Sequence, residues 1–496
     1  MKPPLFSKTH SRSTAYSSQA SFNHIYAMKI PISDTDSKLN ACDISPDNCN
    51  LDMRDTLMPL SRIKKSAKTT YAKQNGQIVH FMDVSYVEDK VDLLEDAYPG
   101  DEENLTCTNQ DGCTTDTGSL YYYAFYPSGI DYSNCKLPAI ILFHAGGFSD
   151  CSGPNYEDSL CYCLARKGFI VFNVEYRRGR IKDTAEGGKY TSVQQMLAIY
   201  RAFQDGRGAI RSIIKRQNNI AYNNFPYQID ITKIFVAGQS AGATIAGSLT
   251  YYTDQAMIDS IFPVPAGMPS FSDALGPINA DYYYGDTTID YQSSIKGLWS
   301  MWGGFPMPTV GNSTVDEYKF LTRGYTKTLV PMIGFMGSKD PVFPYDSTFQ
   351  LVYYPPKAHG KYVKETSCII NDSIKIFKNP NKTPNLRIEC TNDIFTIFKN
   401  NGIPTLQYID TSMGHGLTKP DTLGICPSDF GVAGSLTTNQ VNEYFAARAC
   451  FYFQSILKGK ATLLGGVKKF INCEDFRHSP DVGGDCATKA DNDNCH

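Results

Sequence analysis

The order of elements in this sequence predicts an α/β fold: a mostly parallel central sheet flanked by helices, with a cap-like insertion. Two patterns carry that expectation. From about residue 137 onward, short apolar runs alternate with longer amphipathic stretches, as strands joined by helical crossovers do. At the centre lies KIFVAGQSAGATIAG (233–247), which reads as a buried strand at Ile234, Phe235 and Val236, then a G-x-S-x-G turn, then a helix start of small residues.

Taken in order, residues 1–65 are polar and rich in Ser, Asp and Asn. Their composition predicts disorder over 1–35 and a loosely ordered arm over 36–65, which Cys42 and Cys49 are placed to close. IVHFMDVSY (78–86) and SLYYYAFY (119–126) alternate enough to be two antiparallel strands, separated by an acidic loop holding Cys107 and Cys113. LPAIILF (137–143) is a continuous apolar strand, 155–167 a helix ended by Gly168, and FIVFNVEY (169–176) a further strand. A long amphipathic helix over 191–217 leads into the central strand. Residues 252–292, rich in Pro, Gly, Asp and Tyr, fit an inserted cap or substrate loop. Strands follow at 295–303 and 329–337, then an irregular insertion at 345–392 carrying Cys368 and Cys390. A helix at 392–400, a strand at 404–410 and a closing helix at 438–457 complete the domain, which runs over 66–470. Residues 471–496 form a polar, Cys-containing tail, and no internal repeat is visible.

Bulk properties narrow the function classes. With 42% hydrophobic and 20% charged residues the chain has an ordinary globular composition, and its net charge of −3 offers no basic footprint for nucleic acid. No apolar run approaches the roughly 18 residues of a membrane span, which predicts a soluble protein. The chain holds 32 Tyr and 27 Phe against 2 Trp; most of these rings read as half-buried strand residues. Fifteen cysteines, several at close spacing in polar loops, predict loop-stapling disulfides and an oxidising, extracellular setting. The count is odd, so at least one thiol is unpaired; Cys161 and Cys163, two apart on a helix, diverge and cannot bridge each other. No C-x-x-C pair exists to hold zinc, and no metal or cofactor is expected. The first 30 residues contain no apolar signal core, which leaves the export route open. Sequons at Asn104, Asn312, Asn371 and Asn381 matter only in a eukaryotic secretory host.

The chemistry gathers on three loops and a turn. Ser240 sits on the tight strand-to-helix bend, where flanking glycines let neighbouring backbones approach and the helix N-terminus faces the reacting oxygen. Upstream, HAGGF (144–148) follows a strand directly; Gly146 and Gly147 can aim backbone N–H groups at an acyl oxygen, and Ala241 supplies a third. Asp340, in GSKDP (337–341), lies just past a strand end, with Asp346 as the alternative acid. His415, between Gly414 and Gly416, follows the strand at 404–410 and is free to swing over a nucleophile; His359, His478 and His496 lie in polar segments. The order Ser, Asp, His is that of the α/β-hydrolases.

HAGGF (144–148), VEYR (174–177), QDGRGAIR (204–211), AGQSAGA (237–243), GSKDPVFP (337–344) and GHG (414–416) together give a resemblance to the α/β-hydrolase superfamily. Within it, the chain is similar to the carboxylesterases and feruloyl esterases of the hormone-sensitive-lipase-like branch. The resemblance implies an α/β-hydrolase fold and a serine esterase: Ser240 as nucleophile, His415 as general base and then acid, Asp340 as orienting acid, and Gly146, Gly147 and Ala241 as oxyanion donors. It also implies a structural ion pair between Arg177 and Asp205 beneath the site. Three positions depart from the pattern: Ala145 replaces the first glycine of the usual HGGG run, Gln239 stands where an acid commonly precedes the serine, and Ala243 replaces a glycine. The implied substrate is a small or carbohydrate-linked ester. Two other readings stay open: a serine peptidase of the prolyl-oligopeptidase type, and a non-catalytic adhesion module on the same fold. The oligomeric state is not addressed by the sequence.

Overall fold

The mostly parallel sheet is present, and a computed structural model shows how its two faces are filled. The model describes, with a few positions inside them excepted, residues 58–78, 120–148, 153–177, 182–190, 192–218, 225–262, 270–279, 287–308, 316–343, 349–351, 386–410, 414–416, 438–459 and 466–470. All lie within the unit spanning 40–496.

The strands of the main sheet are β1 (Ile63–Lys65), β2 (Thr69–Thr70), β3 (Tyr121–Pro127), β4 (Leu137–Phe143), β5 (Ile170–Val174) and β6 (Ile229–Gln239). They continue with β7 (Ile295–Met301) and, beyond the separate strand β8 (Gly304–Met307), with β9 (Met332–Gly337). A second separate pair, β10 (Phe349–Leu351) and β11 (Leu386–Cys390), precedes β12 (Thr405–Asp410) and β13 (Gly466–Phe470). In space the order is β1-β3-β5-β4-β6-β7-β9-β12-β13, with β2 also paired to β3. From β5 to β13 every pairing is parallel; β1, β2 and β3 add an antiparallel edge. The first strand therefore comes from within the stretch read as a polar arm. Of the expected partner of β3, residues 78–86, only Ile78 is described, in a small ribbon where Gln77–Ile78 pairs with Lys73–Gln74.

The pleat sorts the apolar run LPAIILF onto two faces. Ala139, Ile141 and Phe143 of β4 and Ile234 and Val236 of β6 join one core cluster, with residues of helices α2 (Ser192–Asn218), α3 (Ala241–Tyr251) and α7 (Thr391–Asn400). Ile140 and Leu142 of β4 and Phe235 and Ala237 of β6 face the other way, against α1 (Asp158–Arg166) and α8 (Thr438–Leu457). This two-sided burial is why the central strands show continuous apolar runs rather than alternation. Cys161 and Cys163 on α1 are buried free thiols that do not bridge each other. The close-spaced loop cysteines on which the disulfide expectation rests lie outside the described residues, apart from the backbone of Cys390.

The insertions hold structure of their own. Within 252–292 are α4 (Gln255–Ile261) and α5 (Phe271–Leu275), and Gln204 on α2 donates to the carbonyls of Leu275 and Pro277 at 3.0 Å each, docking this segment on the body. A short helix α6 (Glu317–Leu321) precedes β9, and β11 pairs with β8 on one side and β10 on the other to make a three-stranded antiparallel sheet. The irregular reading of 345–392 missed this because its strands are short and lie apart in sequence. Among the described residues no helix is long and apolar enough to cross a membrane.

The turn from β6 into α3 is possible only because backbones touch there. A Cβ at Gly238 would overlap the Gly242 carbonyl group, and one at Gly242 would overlap the carbonyl oxygens of Phe143 and His144. Both obstacles are backbone, so neither can move aside as a side chain would. Gly242→Ala is expected to lower unfolding stability by more than about 3 kcal/mol, measured by urea denaturation, or to prevent folding.

Candidate active site

Ser240 caps α3 with φ 52° and ψ −116°, a conformation that non-glycine residues rarely adopt. The surroundings hold it there. Its N–H donates to the Met301 carbonyl at 2.9 Å, carrying the β6–β7 ladder through the turn, and its carbonyl accepts from Ala243 at 3.0 Å and Thr244 at 3.2 Å. The hydroxyl is thereby placed at the C-terminal edge of the sheet, where ligand crevices of parallel α/β sheets form.

Three loops converge on that hydroxyl. His415 Nε2 lies 2.8 Å from Ser240 Oγ, and His415 Nδ1 lies 2.8 Å from Asp340 Oδ2. Asp340 follows β9 and is 5% exposed. Its other oxygen accepts from the N–H groups of Val342 at 2.7 Å and Phe343 at 2.9 Å, so the carboxylate is fixed before it meets the imidazole. An acceptor-only carboxylate at Nδ1 places the ring proton there and leaves Nε2 as an acceptor for the serine proton. The Phe343 ring stands 5.8 Å from the His415 ring, centroid to centroid. The alternative acid, Asp346, lies outside the described residues.

The glycine loop lies beside this turn because β4 and β6 are neighbours, with Phe143 paired to Gly238. Gly146 (φ 134°) and Gly147 (φ 58°) both take left-handed backbone that turns the loop over the end of the sheet. Ala241 opens α3, so its N–H belongs to a first helical turn that has no intrahelical acceptor. The three expected donors are thus on the two backbone segments that border Ser240.

Two anchors that sequence reasoning missed hold the glycine loop. On one side the His144 ring stacks on Tyr176 with centroids 4.4 Å apart, its Nε2 3.0 Å from Glu175 Oε1, while the Tyr176 hydroxyl donates to the His144 carbonyl at 2.9 Å. On the other, the carboxyl of Glu157 accepts from the Ala145 N–H and from Gln239 Nε2. Gln239 stands where an acid was expected from the resemblance, and the acid it contacts is supplied by the turn ahead of α1. VEYR (174–177) contains Glu175 and Tyr176, yet nothing local marks them as anchors of the glycine loop or Glu157 as buried.

Beneath the site, Arg177 and Asp205 form the expected ion pair. Arg177 Nη2 lies 2.9 Å from Asp205 Oδ1, and the Arg177 backbone N–H donates to Oδ2 at 2.6 Å. Both residues are buried, and the pair joins the end of β5 to the middle of α2. Among the described residues no three His, Cys, Asp or Glu side chains gather in a way that could hold a metal ion.

This sheet order, with a serine on the bend after its central strand, is that of the α/β-hydrolase fold. Residues 140–272 match a family model described as alpha/beta hydrolase fold. The chain resembles a probable carboxylesterase 6 of Arabidopsis thaliana, 26% identical over 196 residues, covering 37% of this chain and 53% of that protein. It also resembles an amyloplastic tuliposide A-converting enzyme b1 of Tulipa gesneriana, 24% identical over 138 residues, covering 27% of this chain and 33% of the relative. The match thus spans between a third and about half of these relatives' lengths. Among solved structures, Thermogutta terrifontis esterase 2 phosphonylated by sarin aligns at 15% identity with a TM-score of 0.38, covering 70% of this chain and 92% of that one.

Two stability outcomes follow from the buried charges. Asp205→Asn leaves the Arg177 guanidinium without its counter-charge and is expected to cost about 3–5 kcal/mol in urea denaturation. Burial pushes the Glu157 carboxyl up from 4.5 to about 8. The folded protein then holds a proton that the unfolded chain has released, so this group lowers stability as pH rises from about 4.5 to about 8. Glu157→Gln removes that loss, and the melting-temperature gap is expected to widen in the variant's favour across that interval.

Proposed function

We propose that the protein is a serine hydrolase that cleaves carboxylic esters through an acyl-enzyme on Ser240. One observation carries the reading: the continuous chain Ser240–His415–Asp340, with 2.8 Å at each link. As the Ser240 oxygen attacks the ester carbonyl carbon, its proton passes to Nε2 of His415. The imidazolium so formed is held by Asp340. Negative charge moves onto the carbonyl oxygen, within reach of the N–H groups of Gly146, Gly147 and Ala241. When the tetrahedral centre collapses, the carbon–oxygen bond to the alcohol breaks and His415 returns the proton to that oxygen. Water, deprotonated by the same imidazole, then attacks the acyl-enzyme; the acid leaves and Ser240 recovers its proton.

The esterase reading is also supported by the relatives whose names are those of carboxylesterases and of a tuliposide A-converting enzyme. Short-acyl or carbohydrate-linked esters are the proposed substrates, a class suggested by the resemblance and by the Tyr-rich composition of segment 252–292. The fifteen cysteines support an extracellular setting for this activity.

With nitrophenyl acetate, Ser240→Ala is expected to lose on the order of 10⁶ in kcat, and Asp340→Asn on the order of 10⁴, with KM little changed. A fluorophosphonate probe should label the wild-type protein at Ser240, and the site is read by peptide mass. Equal turnover by wild type and Ser240→Ala overturns the reading. An ester panel graded by acyl length, with acetylated and feruloylated sugars, assigns the substrate class.

A further inference from the structure

Glu157 takes no part in the proton relay, yet it touches both backbone segments that the relay depends on. It ends the short helical turn Pro154–Glu157 ahead of α1 and is 6% exposed. Gln239, which donates its side-chain amide to Glu157, is the residue before the nucleophile. Ala145, which donates its backbone N–H to the same carboxyl, is the residue before the glycine pair.

We propose that Glu157 is a positioning residue for ester cleavage: its carboxyl clamps the oxyanion-donor loop to the nucleophile turn, and the charge it carries sets how well that loop receives a developing oxyanion. The inference rests on the esterase reading above. Uncharged, the carboxyl accepts from Gln239 and Ala145 and adds no field. Ionised, it places a full negative charge behind a loop whose task is to stabilise another negative charge, in a dry region where repulsion is weakly screened.

The neighbouring charges do not offset that repulsion. On the same turn and helix, Asp158 adds to it, and the Cys161 thiol is itself pushed up by burial and by both acids. From β1, Lys65 is engaged 2.5 Å from Asp158. From the far side of the loop, His144 faces Glu175 at 3.0 Å, and on the nucleophile side His415 faces Asp340 at 2.8 Å. With burial holding the carboxyl at about 8, its ionisation falls just above neutrality.

The test is kcat against pH from about 6 to 10, with spontaneous ester hydrolysis subtracted, for wild type, Glu157→Gln and Gln239→Leu. Wild-type kcat is expected to fall about tenfold between about pH 7 and about pH 9 at steady KM, since only the transition state carries the oxyanion. Glu157→Gln is expected to fall less than about twofold over the same interval. Gln239→Leu removes one donor to the carboxylate, which disfavours ionisation, so its alkaline midpoint should move upward. An alkaline limb unchanged in Glu157→Gln, or absent from wild type, overturns the proposal. If Glu157→Gln does not fold, an unmoved midpoint in Gln239→Leu overturns it alone. Wild-type protein inert toward esters and unlabelled by fluorophosphonate ends the esterase reading, and this inference with it, before any variant is compared.

Discussion

The whole site depends on a backbone contact. The first turn of α3 packs so closely on the end of β6 and on the carbonyls of Phe143 and His144 that Gly238 and Gly242 can carry no Cβ. That contact forces Ser240 into positive φ and lifts its hydroxyl out of the sheet edge. It also brings the N-terminus of α3 beside the glycine loop, since that loop leaves the very strand the helix touches. A residue at strained φ persists only where its neighbours overdetermine it, and here the Met301 carbonyl and the α3 amides do so.

Around this contact, the buried acids differ in what they face. Asp340 meets backbone N–H groups and an imidazole, Asp205 a guanidinium, and Glu157 only amide donors. Amides orient a carboxyl but bring no opposite charge, which is why burial prevails at Glu157. An uncharged acid can tie two loops together without placing a buried charge between them. On the other flank, the His144 ring, stacked on Tyr176 and facing Glu175, keeps the loop from folding away.

Where the sequence was legible, the cause was a strong local pattern. LPAIILF, the alternating strand and helix runs and the closing helix at 438–457 were read at nearly their observed bounds, because buried parallel strands and long amphipathic helices leave dense signals. Where it was not, the elements were short or polar. Ile63–Lys65 and Thr69–Thr70 become strands only because the edge of β3 offers them backbone partners, and Gly466–Phe470 because β12 does. The separate strand β8, which begins just past the stretch read as a strand at 295–303, likewise follows from pairing with distant β11.

The residue types and their order along the chain determined which groups could meet: a serine in a glycine-flanked bend, a glycine pair after a strand, an aspartate and a histidine after later strands. Parallel strands all end on one side of their sheet, so that order already implied a shared edge. Tertiary structure alone decided the distances and the burial of Glu157 against Ala145 and Gln239. Those depend on how helices pack over the sheet, and a buried carboxyl has the same local sequence as an exposed one.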